Sequence, residues 1–369
     1  MIRVLEVFDS LEISGGVQGV VMNIFRKMDH QKYAVDFAVY DAPLENSYQD
    51  EIEKIGGKVL QIQNLSEAGP MAFYKQFQEI FRREHYDAVH AHNIHHNGLI
   101  LLAAQNAGIP IRISHSHQAF DERNESFVRK LFADGLKKLN NKVATRKVAC
   151  SDLAAEFLYG KKSAYEFIPN AVNIASFHIP ETKYDLRHEY GYQDDKQTIL
   201  LHIGRFSPQK NQFFFIKMME KLKEENVILL MAGEGPLKEE FLEAVKIAEL
   251  EEKIHYIGLR KDIPQLLKMA DGMLLPSIYE GLPVVVVEAQ AAGCHCLISD
   301  VITKQADLQE GMVEYLPIDS EIRWIECIKK LKSVKNLVSI DKIHQKMRDK
   351  KFDTETNLEA WYDLYEKRS

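Results

Sequence analysis

The chain has 369 residues, 46% hydrophobic and 27% charged, a balance that fits a globular protein long enough for two domains. Its formal net charge of −7 gives no support to general nucleic-acid binding. Four scattered cysteines (Cys150, Cys294, Cys296, Cys327) are too few for a disulfide framework, and Cys294-His295-Cys296 has no second ligand pair of zinc type.

The first segment, Met1 to Phe8, is too short and too acidic for a signal peptide and reads as a buried strand. No run reaches the roughly 18 apolar residues of a membrane helix. The expected location is therefore cytoplasmic, at most peripheral on the inner face of the cell membrane. Further strands are predicted at 35–39, 58–62, 88–91, 111–114 and 147–149, with Ile168 as a short last one. Helical periodicity fills 15–28, 71–84, 97–107 and 127–138 between them. This alternation predicts βαβ units on a parallel sheet.

A charged stretch, 176–197, reads as a linker. A second series follows, with strands at 199–203, 227–232, 254–257, 272–275, 296–299 and 313–316. Its helices are predicted at 212–224, 236–250, 262–269, 283–293 and 321–331. The fold class is thus α/β, with two Rossmann-like α/β/α domains at 1–173 and 174–351. In the last segment, 354–367, Leu358, Trp361, Tyr362 and Tyr365 fall at helical spacing. One element runs against propensity: Val284 to Val287 is β-branched throughout, yet a crossover element must follow the strand 272–275, so a buried helix is predicted.

The stretch Pro276-Ser277-Ile278-Tyr279-Glu280-Gly281-Leu282-Pro283, followed by the four valines and Glu288, sets two carboxylates eight residues apart. The Gly-Leu-Pro turn exposes N–H groups at a helix start, where an anion binds well, and Pro283 suits the first helical position. Glu280 would precede the helix and Glu288 would project from its second turn. One carboxylate can then meet a sugar and the other a ribose, with phosphates between. Arg205 follows a strand end and Gly204, and Lys210 comes five residues later. A departing diphosphate needs fixed positive charge, and an arginine fork and a lysine point charge supply it.

With Glu280 and Glu288 as an E-x7-E element, other matches fall in order: Gly15-Gly16, Pro169-Asn170-Ala171-Val172-Asn173, His202-Ile203-Gly204-Arg205-Phe206, Lys210, and Gly233-Glu234-Gly235-Pro236. Along nearly its whole length the chain resembles retaining glycosyltransferases of the GT-B fold, in particular family 4. The segment Leu297 to Lys304 is similar to the bacterial exopolysaccharide and capsule members.

The resemblance implies two domains facing each other across a cleft that holds the active site, and a C-terminal helix within 352–369 crossing back to the first domain. It implies transfer of a hexosyl unit, with retention, from a nucleotide sugar, UDP-linked, to a saccharide or lipid-linked saccharide. Attack would come from the front face, and no metal or other cofactor is expected. Arg205 and Lys210 would hold the diphosphate, Glu288 the ribose and Glu280 the hexose. Gly281, Leu282 and Pro283 would present the helix start. Gly233, Glu234, Gly235 and Leu259 would lie at the base. Gly15 and Gly16 would approach the donor from the first domain. Gln18 stands where many members carry Glu, which removes a charge from that loop.

Half of the fourteen histidines lie between His85 and His117, but carboxylate or thiolate support for a metal is scarce around them. The family places a functional histidine after the strand 111–114. His117 and His115 both fit that register, His117 better. His92 and Asn170 join them as candidates on the acceptor side. Between Arg129 and Lys147 lie seven Lys or Arg and one acid, interleaved with Phe132, Leu136 and Leu139. Such a pattern, over 127–147, suits either an anionic membrane surface or an ordinary solvated helix. Two enzyme rivals share parts of the layout: a GT-B nucleotide-sugar epimerase and an NAD-dependent oxidoreductase. Against the latter, Ser14-Gly15-Gly16-Val17-Gln18-Gly19 does not match the dinucleotide fingerprint, and no acidic ribose ligand follows about twenty residues on. A non-catalytic sugar-binding protein is the third class, and the joint presence of Arg205, Lys210, Glu280 and Glu288 argues against a dead site.

Overall fold

The computed structural model describes residues 1–13, 15–40, 47–120, 126–192, 196–333 and 339–366. Ser14, the linker residues 193–195 and the tail 367–369 fall outside that description. The chain forms two compact units, one of residues 1–170 with 354–369 and one of residues 171–353.

The first unit runs β1 (Ile2–Phe8), α1 (Gly16–Lys27), β2 (Tyr33–Val39), α2 (Gln49–Ile55), β3 (Val59–Gln61), α3 (Leu65–Arg83), β4 (Ala88–Ala91), α4 (Asn97–Asn106), β5 (Ile111–Ser116), α5 (Phe127–Val143), β6 (Arg146–Ala149), α6 (Asp152–Tyr159) and β7 (Glu166–Phe167). Its sheet is parallel, in the order β3-β2-β1-β4-β5-β6-β7. Both faces are covered, so the strands read as continuous apolar runs. Leu5, Val7, Val89 and Ala91 face α3 and α4, whereas Val4, Phe8, Ala88 and Ile113 face a core that includes Trp361 and Tyr365.

The second unit runs α7 (Lys183–Glu189), β8 (Thr198–Ile203), α8 (Phe214–Lys221), β9 (Val227–Ala232), α9 (Lys238–Ile247), β10 (Ile254–Gly258), α10 (Ile263–Met269), β11 (Gly272–Leu275), α11 (Val284–Ala291), β12 (His295–Ser299), β13 (Val313–Leu316), α12 (Ile322–Lys330) and α13 (Ile340–Asp349). Its parallel order is β10-β9-β8-β11-β12-β13. The last helix, α14 (Thr354–Tyr365), belongs to the first unit and packs on α1.

Strand order reverses direction from β1 to β4 in one sheet and from β8 to β11 in the other. At such points loops leave in opposite directions and open a crevice at the strands' C-terminal ends. The four valines do form a helix: Val285, Val286 and Val287 are buried in α11, and packing overrides β propensity. Pro283 departs from expectation by one position, because it caps α11 and the helix begins at Val284. The stretch expected as linker contains α7. A capping box starts it: the Thr182 hydroxyl accepts from the Asp185 N–H, and the Asp185 carboxylate accepts from the Thr182 N–H. Helix α3 begins six residues earlier than predicted and breaks at Gly69, whose φ of 76° precedes Pro70.

Candidate active site

In the second unit, β8 and β11 bring together residues 70 positions apart. After β8 the chain passes Gly204 and Arg205, makes a tight turn at Pro208–Lys210, and enters the left-handed region at Asn211, φ 53°. Asn tolerates that conformation through its short polar side chain. The turn is tied to the loop after β11. Ile278 N–H donates to the Gln209 carbonyl at 2.9 Å, and the Asn211 amide donates to Pro276 O at 3.2 Å. These bonds place Lys210 Nζ 2.6 Å from Glu280 Oε1. Gln209 donates to Glu280 Oε2 at 3.3 Å and to Tyr279 O at 3.0 Å. Glu280 is buried, with only 7% of its surface exposed, so this ion pair is largely dry.

Arg205 is exposed and pairs with none of the described residues, so its guanidinium is available to a ligand. Its backbone is held from below. His202, fully buried, contacts Leu274 O through Nδ1 at 2.9 Å and Gln212 through Nε2 at 3.3 Å. Gln212 in turn donates to Arg205 O at 2.7 Å. Burial pushes His202 down to about 4, so its neutral ring donates at one nitrogen and accepts at the other.

Glu288 projects from the second turn of α11 without a hydrogen-bond partner among the described residues. Desolvation pushes its carboxyl up to about 7. Gly281, Leu282 and Pro283 lie between the two carboxylates and lead into α11, where Pro283 O accepts from the Val286 N–H at 3.1 Å.

The loops after β9 and β10 form a neighbouring platform. Gly233 (φ 143°) and Gly235 (φ 156°) are required there, since a Cβ would meet Gly204 O at 2.1 Å or Phe206 O at 2.3 Å. That close approach lets Phe206 N–H bond Glu234 O at 2.9 Å. The Glu234 carboxylate itself accepts from Tyr256 and pairs with Lys238 at 3.1 Å, and Leu259 is exposed beyond Gly258.

In the first unit, the loop after β1 is closed by Gln18, whose amide donates to Ser10 O at 3.1 Å. A Cβ on Gly15 would meet Gln18 Oε1 at 2.0 Å, so this glycine makes room for the Gln18 side chain. Gly16 begins α1. His115 lies in β5, and His92 and His117 lie one residue past the ends of β4 and β5. All three are buried. His92 Nδ1 is 2.9 Å from His117 Nε2, and His117 Nδ1 is 3.0 Å from the Asn170 amide. His90, His92 and His115 have ring nitrogens within 4.8 Å of one another, the spacing of ion ligands. Of those nitrogens, His90 Nε2 bonds His115 Nδ1 at 3.1 Å and His92 Nε2 bonds Glu6 Oε2 at 2.7 Å, while His115 Nε2 has no hydrogen-bond partner among the described residues. Sequence reasoning missed Gln209, Gln212 and Glu6. Their only signals were an amide pair flanking Lys210 and a lone acid inside an apolar strand.

The comparisons with known proteins agree with this arrangement. Residues 15–171 match the glycosyl transferase 4-like domain, and residues 188–311 match glycosyl transferases group 1. Bacillus subtilis EpsF, named as a glycosyltransferase, is 33% identical over 88% of this chain and 86% of its own. An Escherichia coli UDP-Gal:alpha-D-GlcNAc-diphosphoundecaprenol alpha-1,3-galactosyltransferase is 26% identical over 79% of this chain and 78% of its own. Among solved structures, Anabaena HepE in complex with UDP and glucose superposes with a TM-score of 0.78 at 18% identity, covering 98% of this chain and 99% of that one. Sucrose-phosphate synthase from Thermosynechococcus elongatus gives 0.79 at 15% identity, covering 99% and 98%. The chain belongs to glycosyltransferase family 4 and is a hexosyltransferase of the GT-B fold.

Proposed function

We propose that this enzyme transfers a hexosyl unit, with retention, from a UDP-sugar to a lipid-linked saccharide in bacterial exopolysaccharide or capsule synthesis. The observation that carries the reading is the group at the ends of β8 and β11: a Lys210–Glu280 pair, with Arg205 and Glu288 both without a side-chain partner among the described residues. Arg205 and Lys210 take the diphosphate, Glu288 accepts from the ribose hydroxyls, and Glu280 faces the hexose. As the bond from the anomeric carbon to the β-phosphate oxygen breaks, the acceptor oxygen bonds the same face. Its proton passes to the departing phosphate oxygen. Arg205, Lys210 and the start of α11 supply the positive field that a divalent cation would otherwise provide, so no metal is needed. The donor and acceptor classes follow the names of relatives, which include the galactosyltransferase above, a Staphylococcus aureus capsular polysaccharide enzyme and a Campylobacter jejuni enzyme acting on a diphospho-undecaprenol substrate. UDP release across a panel of nucleotide sugars, with the anomeric configuration of the product read by NMR, tests this. One UDP-sugar should be turned over to an α-product. Absence of binding to every nucleotide sugar by calorimetry would sink the reading.

A lipid-linked acceptor requires approach to a membrane, and no described helix is long and apolar enough to cross one. The start of α5 meets that need. Every residue from Phe127 to Phe132 is exposed, with Phe127 at 80%, Val128 at 75% and Leu131 at 64%, beside Arg129 and Lys130. Full transfer of each such apolar side chain is worth roughly 1.5–3 kcal/mol, and each cation near an anionic surface about 1 kcal/mol. The double change Phe127→Asp, Leu131→Asp should cut sedimentation with phosphatidylglycerol vesicles by at least about tenfold. Turnover of a short, soluble acceptor should be unchanged. Equal vesicle binding by the variant would remove α5 from the membrane contact.

A further inference from the structure

The geometry points to a metal site inside the first unit: one divalent transition ion held by ring nitrogens of His90 and His92 at the end of β4 and of His115 and His117 at the end of β5.

The sequence repeats itself here, as His90-Ala91-His92 and His115-Ser116-His117. Alternation along a strand turns residues two apart to the same face, and β4 pairs with β5 in parallel. Val89 and Ala91 belong to the core beneath α3 and α4, so the histidines point to the opposite face. There α14 covers them, with the rings of His90, His92 and His115 within 6.1 Å of Trp361, centroid to centroid. The four rings form a block. Along the chain, His90 and His92 have centroids 4.2 Å apart, and His115 and His117 4.0 Å. Across the strands, His90 Nε2 is 3.1 Å from His115 Nδ1, and His92 Nδ1 is 2.9 Å from His117 Nε2. Nitrogens bound at about 2.0–2.1 Å to one ion stand roughly 2.9–3.4 Å apart, for angles from square to tetrahedral. All four residues are buried, none more than 8% exposed.

The outer partners decide where the protons sit. Glu6, as a carboxylate, only accepts. Its Oε2 lies 2.7 Å from His92 Nε2, so His92 donates there and keeps Nδ1 bare. Tyr365 donates to Glu6 Oε1 at 2.6 Å, so its oxygen accepts from His90 Nδ1 at 3.0 Å, and His90 Nε2 is bare. Asn170 Oδ1, also an acceptor, lies 3.0 Å from His117 Nδ1, so His117 donates there and Nε2 is bare. His92 and His117 therefore set lone pair against lone pair at 2.9 Å, an arrangement that a cation between them relieves. A proton could bridge that one pair but could not also serve His90 Nε2; a metal ion can. His115 Nε2 has no hydrogen-bond partner among the described residues. No outer partner thus fixes the proton of His115, and the ring can carry it on Nε2 and present Nδ1. The ion takes four lone pairs, and no proton has to leave.

A metal-bound imidazole ordinarily gives its other N–H to a carboxylate or another oxygen, as three of these rings do. The carboxylate support that the sequence lacks near these histidines comes from β1, 86 positions before His92. Its negative charge offsets part of the charge of a buried dication. A set of imidazoles suits zinc, nickel or copper. The ion fastens β4 and β5 and, through Glu6 and Tyr365, β1 and α14. It takes no part in the sugar transfer proposed above.

The chelator-treated full chain tests this when refolded with zinc, because α14 closes over the site, and then dialysed. It should retain one ion per chain and melt higher than the ion-free sample. Long-range 1H–15N spectra should show zinc shifting Nε2 of His90 and His117 and Nδ1 of His92 and His115. His92→Phe removes a ligand but keeps a ring stacked on Phe8, now at 4.4 Å, and Glu6→Gln keeps the shape of the support without its charge. By competition with a zinc-binding dye, Glu6→Gln should bind about 10- to 100-fold more weakly, and His92→Phe at least about 100-fold more weakly. Zinc that leaves these four signals in place, or that binds His92→Phe as tightly as the wild type, would overturn the site. So would a wild-type chain that retains neither zinc nor nickel. If His92→Phe does not fold, the spectra of the wild type decide alone.

Discussion

Replacing Lys210 by Ala is expected to slow sugar transfer by about 10²- to 10³-fold in kcat, or roughly 3–4 kcal/mol of transition-state stabilisation. In the proposed reaction negative charge grows on the leaving diphosphate as the glycosidic bond breaks, and Lys210, assigned to meet it, is already fixed in place. Its ammonium stands 2.6 Å from Glu280 on a turn stapled to the opposite loop, so little reorganisation is needed during reaction. The same change would also unpair a buried carboxylate. Glu280 would keep only Gln209, at 3.3 Å, at a cost of about 1–3 kcal/mol in stability. Lost activity could then be confused with unfolding. The double variant Lys210→Met, Glu280→Gln separates the two effects. Without a charge on either side, its melting temperature should return close to that of the wild type, while transfer stays slow. Glu280→Gln alone keeps the cation and should lose less. A folded Lys210→Ala protein with kcat within tenfold of the wild type would remove Lys210 from the chemistry.

The part of this site legible in the sequence was the part written locally. Glu280, Gly281 to Pro283 and Glu288 lie within nine residues, the first four in the loop that leads into α11 and Glu288 on its second turn. The alternation of strands with crossover helices was enough for two parallel sheets, because a strand buried on both faces shows as an unbroken apolar run. Helix α7 escaped notice although its capping box was present. It is seven residues long, and its only buried side chains are Leu186 and Arg187. The supports of the site were not legible for a different reason. Gln209 and Gln212 act through loop-to-loop bonds, and an amide in a polar turn has no pattern of its own. Glu6 meets Tyr365 across 359 positions, so its meaning depends on where α14 docks. Its one local signal was a charge in an apolar strand, which has to be answered by buried partners. Gly15 has a local reason of its own, since a Cβ there would meet the Gln18 side chain, and that reason depends on how the side chain folds back.

Donor binding is expected to release a proton near neutral pH and to weaken about tenfold for each pH unit below 7, with Glu288 as the source. The free carboxyl is desolvated and half protonated at about pH 7. Two vicinal ribose hydroxyls need acceptors, and only the carboxylate form offers both oxygens. The complex therefore selects the ionised form and pulls its pKa down, and the displaced proton appears in the buffer. Calorimetry of UDP binding at pH 7 in buffers of different ionisation enthalpy should show release of about half a proton, and Glu288→Gln should abolish it. The sign for stability runs the other way from that of an ordinary paired carboxylate. Folding raises this pKa above its unfolded value of 4.5, so the wild type is penalised as pH rises from 4.5 to about 7, and fully above that. Glu288→Gln should thus melt higher than the wild type at pH 8 and equally at pH 4, while binding UDP more weakly at pH 8. A residue with only a packing role would move stability and affinity in the same direction at both pH values. Opposite movement, confined to the alkaline side, is the signature of a carboxylate kept uncovered for a ligand. If donor affinity proves flat from pH 5 to pH 8, the ribose contact must be assigned to another group.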